Sequence, residues 1–330
     1  GSWDAVEMVF VELVAVDGTR GFGQASPEEG VTGETIDACA AALRDENLAW
    51  LVGRDADALA LQAELSRRVR GPAARAAIDI AVHDLAAKRA GKALVECLGR
   101  VHHELATSIT IGVKPVDETL AEADEYAARG FRALKVKTGV SVDEDIERLV
   151  KLRARFGARF ALRVDANQGY DAAALARFVL HLDALALEMI EQPLPRGAED
   201  ELRALPPRVR RLLAADESVH DAHDLDTLVS AGCPFGIVNV KLMKCGGITP
   251  ALRLAESAQR AGLELMWGCM DESVVGISAA LHAAFSARAT RYLDLDGSFD
   301  LARDPFRGGF TLRDGCLSTL ARPGLGVEHA

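Results

Sequence analysis

Between about residue 107 and residue 309, eight short apolar runs alternate with stretches of helical periodicity, and this rhythm restricts the chain to a parallel α/β architecture. The candidate strands are 107–111, 133–136, 160–164, 187–190, 212–215, 237–240, 263–267 and 292–295, with helical patterns such as 143–156, 172–182 and 250–261 between them. Eight strand-helix repeats suit one turn of a closed barrel better than an open sheet. An open doubly wound sheet would bring a glycine-rich phosphate turn after its first strand, and Ile111-Gly112-Val113-Lys114 is too poor in glycine to be one.

Three of these runs end in an acid: Asp165, Glu191 and Asp216, spaced about 25 residues apart, or about one βα unit. Strand ends of one polarity open on one face of a parallel barrel, so these carboxylates are expected to converge. Each alone would serve as a helix cap. Three on successive strands read as a set of hard oxygen ligands suited to Mg²⁺. Asn167 and Glu217 follow two of these acids closely and are expected to hydrogen-bond to the ligands from behind.

Lysines surround the same point. Strand alternation sends Lys135 and Lys137 to one side, and mutual repulsion is expected to lower the pKa of one of them into the range of a base. The competing reading of Lys-x-Lys is a solvated pair at a strand end. Lys241 ends the sixth strand, roughly opposite the second in an eight-membered ring, so its amine is expected to approach from the other side. Lys244, in the following loop, is expected at the surface.

The first hundred residues have another character. Residues 6–16 and 20–25 read as an antiparallel pair around an Asp17-Gly18 turn. Helical patterns follow at 32–43, 57–69 and 72–89, the last with Pro72 in its first turn. This is an α+β module, and the Gly- and Pro-rich tail at 310–327 is expected to return and pack on it. With 330 residues, 49% of them hydrophobic, the chain can bury a barrel and one smaller domain. We place the smaller domain at 1–104, completed by 310–330, and the barrel at 105–309.

The formal net charge of −11 argues against a nucleic-acid partner. Six cysteines without a Cys-x-x-Cys pair fit free thiols in a reducing compartment, so a cytoplasmic location is expected. Neither a long apolar run nor an amino-terminal leader is visible, so no membrane partner and no signal peptide are expected. Gly1-Ser2 reads either as a cloning remnant or as the middle of a domain.

Taken together, Lys135-Val136-Lys137, Asp165-Ala166-Asn167, Glu191-Gln192-Pro193, Asp216-Glu217-Ser218 and Asn239-Val240-Lys241 resemble the muconate-lactonizing-enzyme subgroup of the enolase superfamily, over nearly the whole chain. The resemblance implies a modified (β/α)7β TIM-type barrel with an α+β capping domain built from both termini. It also implies one Mg²⁺ per active site and a Lys base beside a metal-stabilised ene-diolate. Family members begin with an extra strand and a flexible loop ahead of the stretch corresponding to 6–16, which is a departure here.

Cys269-Met270-Asp271-Glu272-Ser273 after the seventh strand and Asp294-Leu295-Asp296-Gly297 at the eighth are similar to the dipeptide epimerases of that subgroup. That likeness implies a small-molecule dipeptide substrate, with Asp294 and Asp296 receiving its ammonium group while its carboxylate meets the metal. The implied reaction is 1,1-proton transfer inverting the α-carbon of the carboxy-terminal residue of an L,L-dipeptide. Lys137 would serve one face, Lys241 the other, and Lys135 would tune Lys137. Glu28 and Glu29 in the lid region, with Asp271 and Glu272 at the mouth, form an acidic surround that favours a cationic dipeptide. The alternatives are an o-succinylbenzoate synthase, a muconate-type cycloisomerase, or a non-catalytic metal- or ligand-binding barrel. Fold analogy adds a homo-oligomer.

Overall fold

The computed structural model describes residues 5–330, so Gly1-Ser2 and the first residues of the 1–104 unit lie outside the described residues. Fifteen strands are present among them: β1 (Val9–Val14), β2 (Arg20–Ala25), β3 (Leu105–Ala106), β4 (Ser108–Ile111), β5 (Ala133–Lys137), β6 (Ala161–Asp165), β7 (Leu187–Glu191), β8 (Leu213–Ala215), β9 (Ile237–Val240), β10 (Glu264–Gly268), β11 (Thr290–Asp294), β12 (Phe306–Gly308), β13 (Phe310–Arg313), β14 (Cys316–Thr319) and β15 (Val327–His329).

Strands β4 to β11 form one parallel sheet in chain order. A bridge between Thr107 and Leu293 brings its first and last strands together, as does the Ser108 hydroxyl, which donates to the Leu293 carbonyl at 3.3 Å. The eight expected strands are therefore all present, shifted by a residue or two at their ends. Register puts Lys137, Asp165 and Glu191 side by side on β5, β6 and β7. Met189, Ala214, Ile237 and Met266 form a separate small apolar cluster, with Tyr292 packed against them.

The opening hairpin pairs Val9 with Ala25 and Val14 with Arg20. Behind it lies the Pro72–Arg89 helix, whose bounds match the sequence expectation. Contact between the two is backbone to backbone. A Cβ at Gly23 would sit 1.8 Å from the Ala77 carbonyl, and the helix meets this strand with alanines. Alternating glycine on β2 and an alanine-rich helix face thus specify one docking distance.

Two helix boundaries differ from expectation. Instead of one helix beginning at Thr32, a short Glu29–Thr32 helix ends at Gly33 in left-handed conformation. The Ile36–Ala42 helix then starts from Thr35, whose hydroxyl accepts from the Ala38 amide at 3.2 Å. The pattern at 172–182 likewise splits into Ala172–Val179 and Leu182–Leu185.

The tail returns as expected. β12 pairs with β15, and β13 and β14 pair in a sheet with β3. Phe306 packs in tilted contact with Phe10 and Phe22 of the first module, with ring centroids 5.2 and 5.0 Å apart. Buried Asp84 joins all three parts: it accepts from the amides of Phe22 and Leu325 and from Lys88. No helix among the described residues is long and apolar enough to cross a membrane.

A second latch joins the Leu94–Leu98 helix to the Val274–Ala284 helix, where buried His282 accepts the Val95 amide through Nδ1 at 2.9 Å. Burial holds the imidazole neutral, with a pKa lowered from 6.5 to about 4. Between those values the unfolded chain binds the extra proton, so this contribution is complete above pH 6.5 and fades as the pH falls toward 4. The expected loss is roughly 3 kcal/mol over that window. Urea unfolding of the parent and of His282→Gln should show their stability difference shrinking from pH 7 to pH 4.5, and a constant difference would contradict it.

Candidate active site

The functional side chains stand at the carboxyl ends of the barrel strands, the end where loops build sites in such barrels. The three acids expected as ligands are all buried, at the ends of β6 and β7 and just past β8. Lysine amines lie against them. Lys135 Nζ is 3.0 Å from Asp165 Oδ2, 2.8 Å from Glu191 Oε2 and 2.8 Å from Asp294 Oδ2. Lys137 meets Asp165 Oδ2 at 2.8 Å from β5, and Lys241 meets Asp216 Oδ2 at 2.7 Å from the end of β9. Because β5 and β9 are four strands apart in a ring of eight, these two amines reach the cluster from opposite sides.

The charges are strongly coupled. Burial opposes ionisation of Asp165, but Lys135 and Lys137 outweigh it and hold the carboxyl at about 2. Lys241 and Lys244 do the same for Asp216 against its burial, keeping it well below the ordinary range. Glu191 moves the other way, to about 7, through burial and the neighbouring Asp165 charge, with Asp216 adding to the repulsion.

The expectation that the lysine pair would depress one pKa is corrected for Lys135. Burial does disfavour its charge, yet Asp165, Asp294 and Glu191 overcome this and raise it well above its usual value. Lys241 is raised as well, by Asp216 and Glu191 against burial. The carboxylates, nearer than the second ammonium, decide the sign.

The donor chemistry fits a divalent cation. Three carboxylates share one low-dielectric site, and Glu191 Oε2 is buried without a hydrogen-bond partner despite the nearby Lys135 amine. Among the described residues no three acidic, His or Cys groups stand in a ready-made metal-gripping arrangement, since the amines lie against these oxygens.

Asn167 is exposed in left-handed conformation (φ 42°). Its Oδ1 accepts from Lys137 at 2.8 Å, its amide donates to Asp165 Oδ1 at 2.9 Å, and its Nδ2 reaches Glu217 Oε1 at 3.5 Å. Asp294 is buried and already engaged: Oδ2 with Lys135 and Oδ1 with the Ser108 hydroxyl at 2.6 Å. Asp296, half-buried one step further out, accepts the Thr110 amide at 2.7 Å, and burial with the Asp294 charge lifts it to about 7.

Asp271 is exposed on the loop after β10, and Glu28 is exposed ahead of the Glu29–Thr32 helix. The Ser26 hydroxyl donates to the Asp271 carbonyl at 2.6 Å, tying these two segments together above the barrel mouth. Glu272, by contrast, is buried and turns inward to accept the Met270 amide, so it does not belong to the acidic surround expected of it.

Lys244 is the clearest departure from the sequence reading. It is fully buried, not at the surface, and its ammonium reaches Asp216 Oδ1 at 2.6 Å, the Asp216 and Val219 carbonyls at 2.6 and 2.9 Å, and the Asn239 carbonyl at 3.2 Å. Gln192 was also missed as a support. Its Oε1 accepts the Asp216 and Ser218 amides at 3.0 and 3.2 Å, lacing the end of β7 to that of β8. A signal existed for Gln192, which directly follows the strand-end acid Glu191 at the close of an apolar run.

Residues 118–330 match the family model described as Enolase C-terminal domain-like, and residues 1–99 match Mandelate racemase / muconate lactonizing enzyme, N-terminal domain. The L-Lys-D/L-Arg epimerase of Methylococcus capsulatus is 53% identical over 330 residues, spanning 99% of this chain and 93% of that protein. A crystal structure of the dipeptide epimerase from the same organism, complexed with Mg and the dipeptide L-Arg-D-Lys, is similar with a TM-score of 0.95 at 54% identity, covering 98% of this chain and 92% of that one. The dipeptide epimerase of Enterococcus faecalis complexed with Mg and L-Leu-L-Tyr has a TM-score of 0.92 at 32% identity, covering 98% and 92%. The barrel, its cap and both family matches agree, and the chain belongs to the muconate-lactonizing-enzyme subgroup of the enolase superfamily.

Proposed function

We propose that this chain is an epimerase of cationic dipeptides, inverting the α-carbon of the carboxy-terminal residue by 1,1-proton transfer. The observation that carries the reading is the approach of Lys137 and Lys241 to one carboxylate cluster from opposite sides of the barrel. Asp165, Glu191 and Asp216 would hold one Mg²⁺ per site. Bound there, Mg²⁺ would supply the positive charge that stabilises the ene-diolate left when the α-proton departs.

The chain's own residues do the rest. A neutral amine on one side takes the α-proton and becomes ammonium, while the ammonium on the other side returns a proton to the opposite face. One C–H bond breaks and one forms, with inversion and no net change in composition. Lys135 is fixed by Asp294 and lies level with the ligands, where its charge biases Lys137 and attracts the substrate carboxylate. Asn167 orients Lys137 through its Oδ1 and is linked to Glu217 behind it.

In this reading the dipeptide ammonium is received at the Asp294-Leu295-Asp296 end of β11. Asp296 is the more available of the two, because Asp294 already answers Lys135 and Ser108. Glu28 and Asp271, exposed on tied segments over the mouth, face a cationic side chain. The 53% identity to an L-Lys-D/L-Arg epimerase supports that preference. Residues 1–104 with 310–330 serve as the capping unit and 105–309 as the barrel, and the enzyme works in the cytoplasm with neither nucleic acid nor membrane as a partner.

Incubation of a dipeptide library with the protein and Mg²⁺ in D₂O, read by mass spectrometry, checks the reaction class. Exchange of one proton for deuterium in Lys- or Arg-containing dipeptides is expected. Loss of water would mark a dehydratase instead, no turnover would favour a binding barrel, and a clear preference for Ala-Glu would refute the cationic specificity.

A further inference from the structure

We infer that Asn239 is a positioning residue that presents Glu191 to the metal, and that Gly268 is glycine to make room for it. The inference rests on the metal assignment proposed above. Asn239 lies on β9 two residues before Lys241, so both side chains point into the barrel. It is fully buried, and its Nδ2 donates to Glu191 Oε1 at 2.6 Å.

That bond crosses a strand. β8 stands between β7 and β9, and the residue level with Glu191 there is the small Ala214, which leaves the path open. A carboxylate oxygen is acceptor only, so it fixes which end of the amide faces it, and Asn239 Oδ1 is turned toward β10. A Cβ on Gly268 would lie 2.6 Å from that Oδ1, 3.0 Å from Nδ2 and 3.2 Å from Cγ. The amide therefore occupies the volume a side chain on β10 would take. Its backbone is secured as well, since the Asn239 carbonyl accepts from Lys244 at 3.2 Å.

The consequence lies at Glu191. With Oε1 held by a neutral donor, the carboxylate cannot rotate freely, and Oε2, which faces the Lys135 ammonium at 2.8 Å, is the oxygen left to meet a cation. Outer partners of this kind set metal affinity by orienting the ligand without touching the ion. A neutral amide does so without adding charge, so its removal isolates orientation from electrostatics. Gly268 acts one step further back, through the amide alone.

Calorimetric titration of metal-free protein with Mg²⁺ distinguishes this role from simple support of the strand. Asn239→Leu and Gly268→Ala are each expected to raise the Mg²⁺ dissociation constant by about 10- to 100-fold. The kcat at saturating Mg²⁺ should fall less than the metal requirement rises. If Asn239→Leu fails to fold by circular dichroism, Asn239→Ser, whose short side chain cannot span to Glu191, supplies the same measurement. A folded Asn239 variant that binds Mg²⁺ like the parent overturns the inference. Glu191→Gln separates the two readings. A parent that binds no Mg²⁺ ends the proposed function, whereas a parent that binds, a Glu191→Gln variant that does not, and parent-like Asn239 variants end only this one.

Discussion

Lys241→Ala and Lys137→Ala are each expected to lower the rate of epimerisation by about 10²- to 10⁴-fold, the range for removal of a positioned acid or base. Inversion needs a proton taken from one face and another delivered to the opposite face, so either deletion breaks the sequence in both directions. The remaining lysine still serves its own face. Each variant should therefore exchange the α-proton of one stereoisomer with D₂O while leaving its configuration intact, and the two variants should select opposite isomers. Lys137 reaches the cluster from β5 and is partly open to solvent, and Lys241 is buried at the end of β9, so Lys137→Ala disturbs the fold less. Full turnover in both variants would reject the two-base scheme, and exchange confined to the same isomer would put both amines on one face.

Lys244→Met is expected to destabilise the folded state by about 3 kcal/mol, the low end for breaking a buried ion pair. The ammonium answers four oxygens from two strand ends and lies wholly out of water. Methionine fills the volume but leaves the Asp216 carbonyl and Oδ1 without that donor in a low-dielectric site. The loss stays near the low end because Lys241 still faces Asp216 at 2.7 Å. Urea unfolding in metal-free buffer measures it. A change below about 1 kcal/mol would mean that Lys244 is replaceable packing, since an exposed pair is worth no more than that.

These two lysines differ by three positions in the chain and show what a sequence can and cannot convey. Lys241 was legible because it ends an apolar run in the sixth repeat, and the ring geometry of an eight-stranded barrel places that position opposite the second. Lys244 follows in a short polar-looking loop, Lys244-Cys245-Gly246-Gly247, whose composition suggests exposure. In the structure Leu242–Cys245 is one helical turn that folds back over the strand end, and this carries the amine beneath Asp216. Nothing in the local pattern announces that reversal.

The Asp-x-Asp pair at β11 divides along the same line. Its position was readable, and so was its parity, since alternation sends Asp294 and Asp296 to one side. That Asp294 is already occupied by Lys135 and Ser108 depends on β4 and β5 arriving beside β11 when the barrel closes.

Periodicity and spacing by themselves determined the eight-stranded parallel barrel, the α+β module with its Pro72–Arg89 helix, and the strand-end positions of Asp165, Glu191, Asp216, Lys137 and Lys241, because these follow from repeat length and from alternation along a strand. Only the tertiary structure decided the protonation balance of Lys135, the burial of Lys244 and the Gly268–Asn239–Glu191 contact. The physical reason is distance: ionisation and hydrogen bonding are set within a few ångströms, between groups that ring closure brings together from strands far apart in the chain.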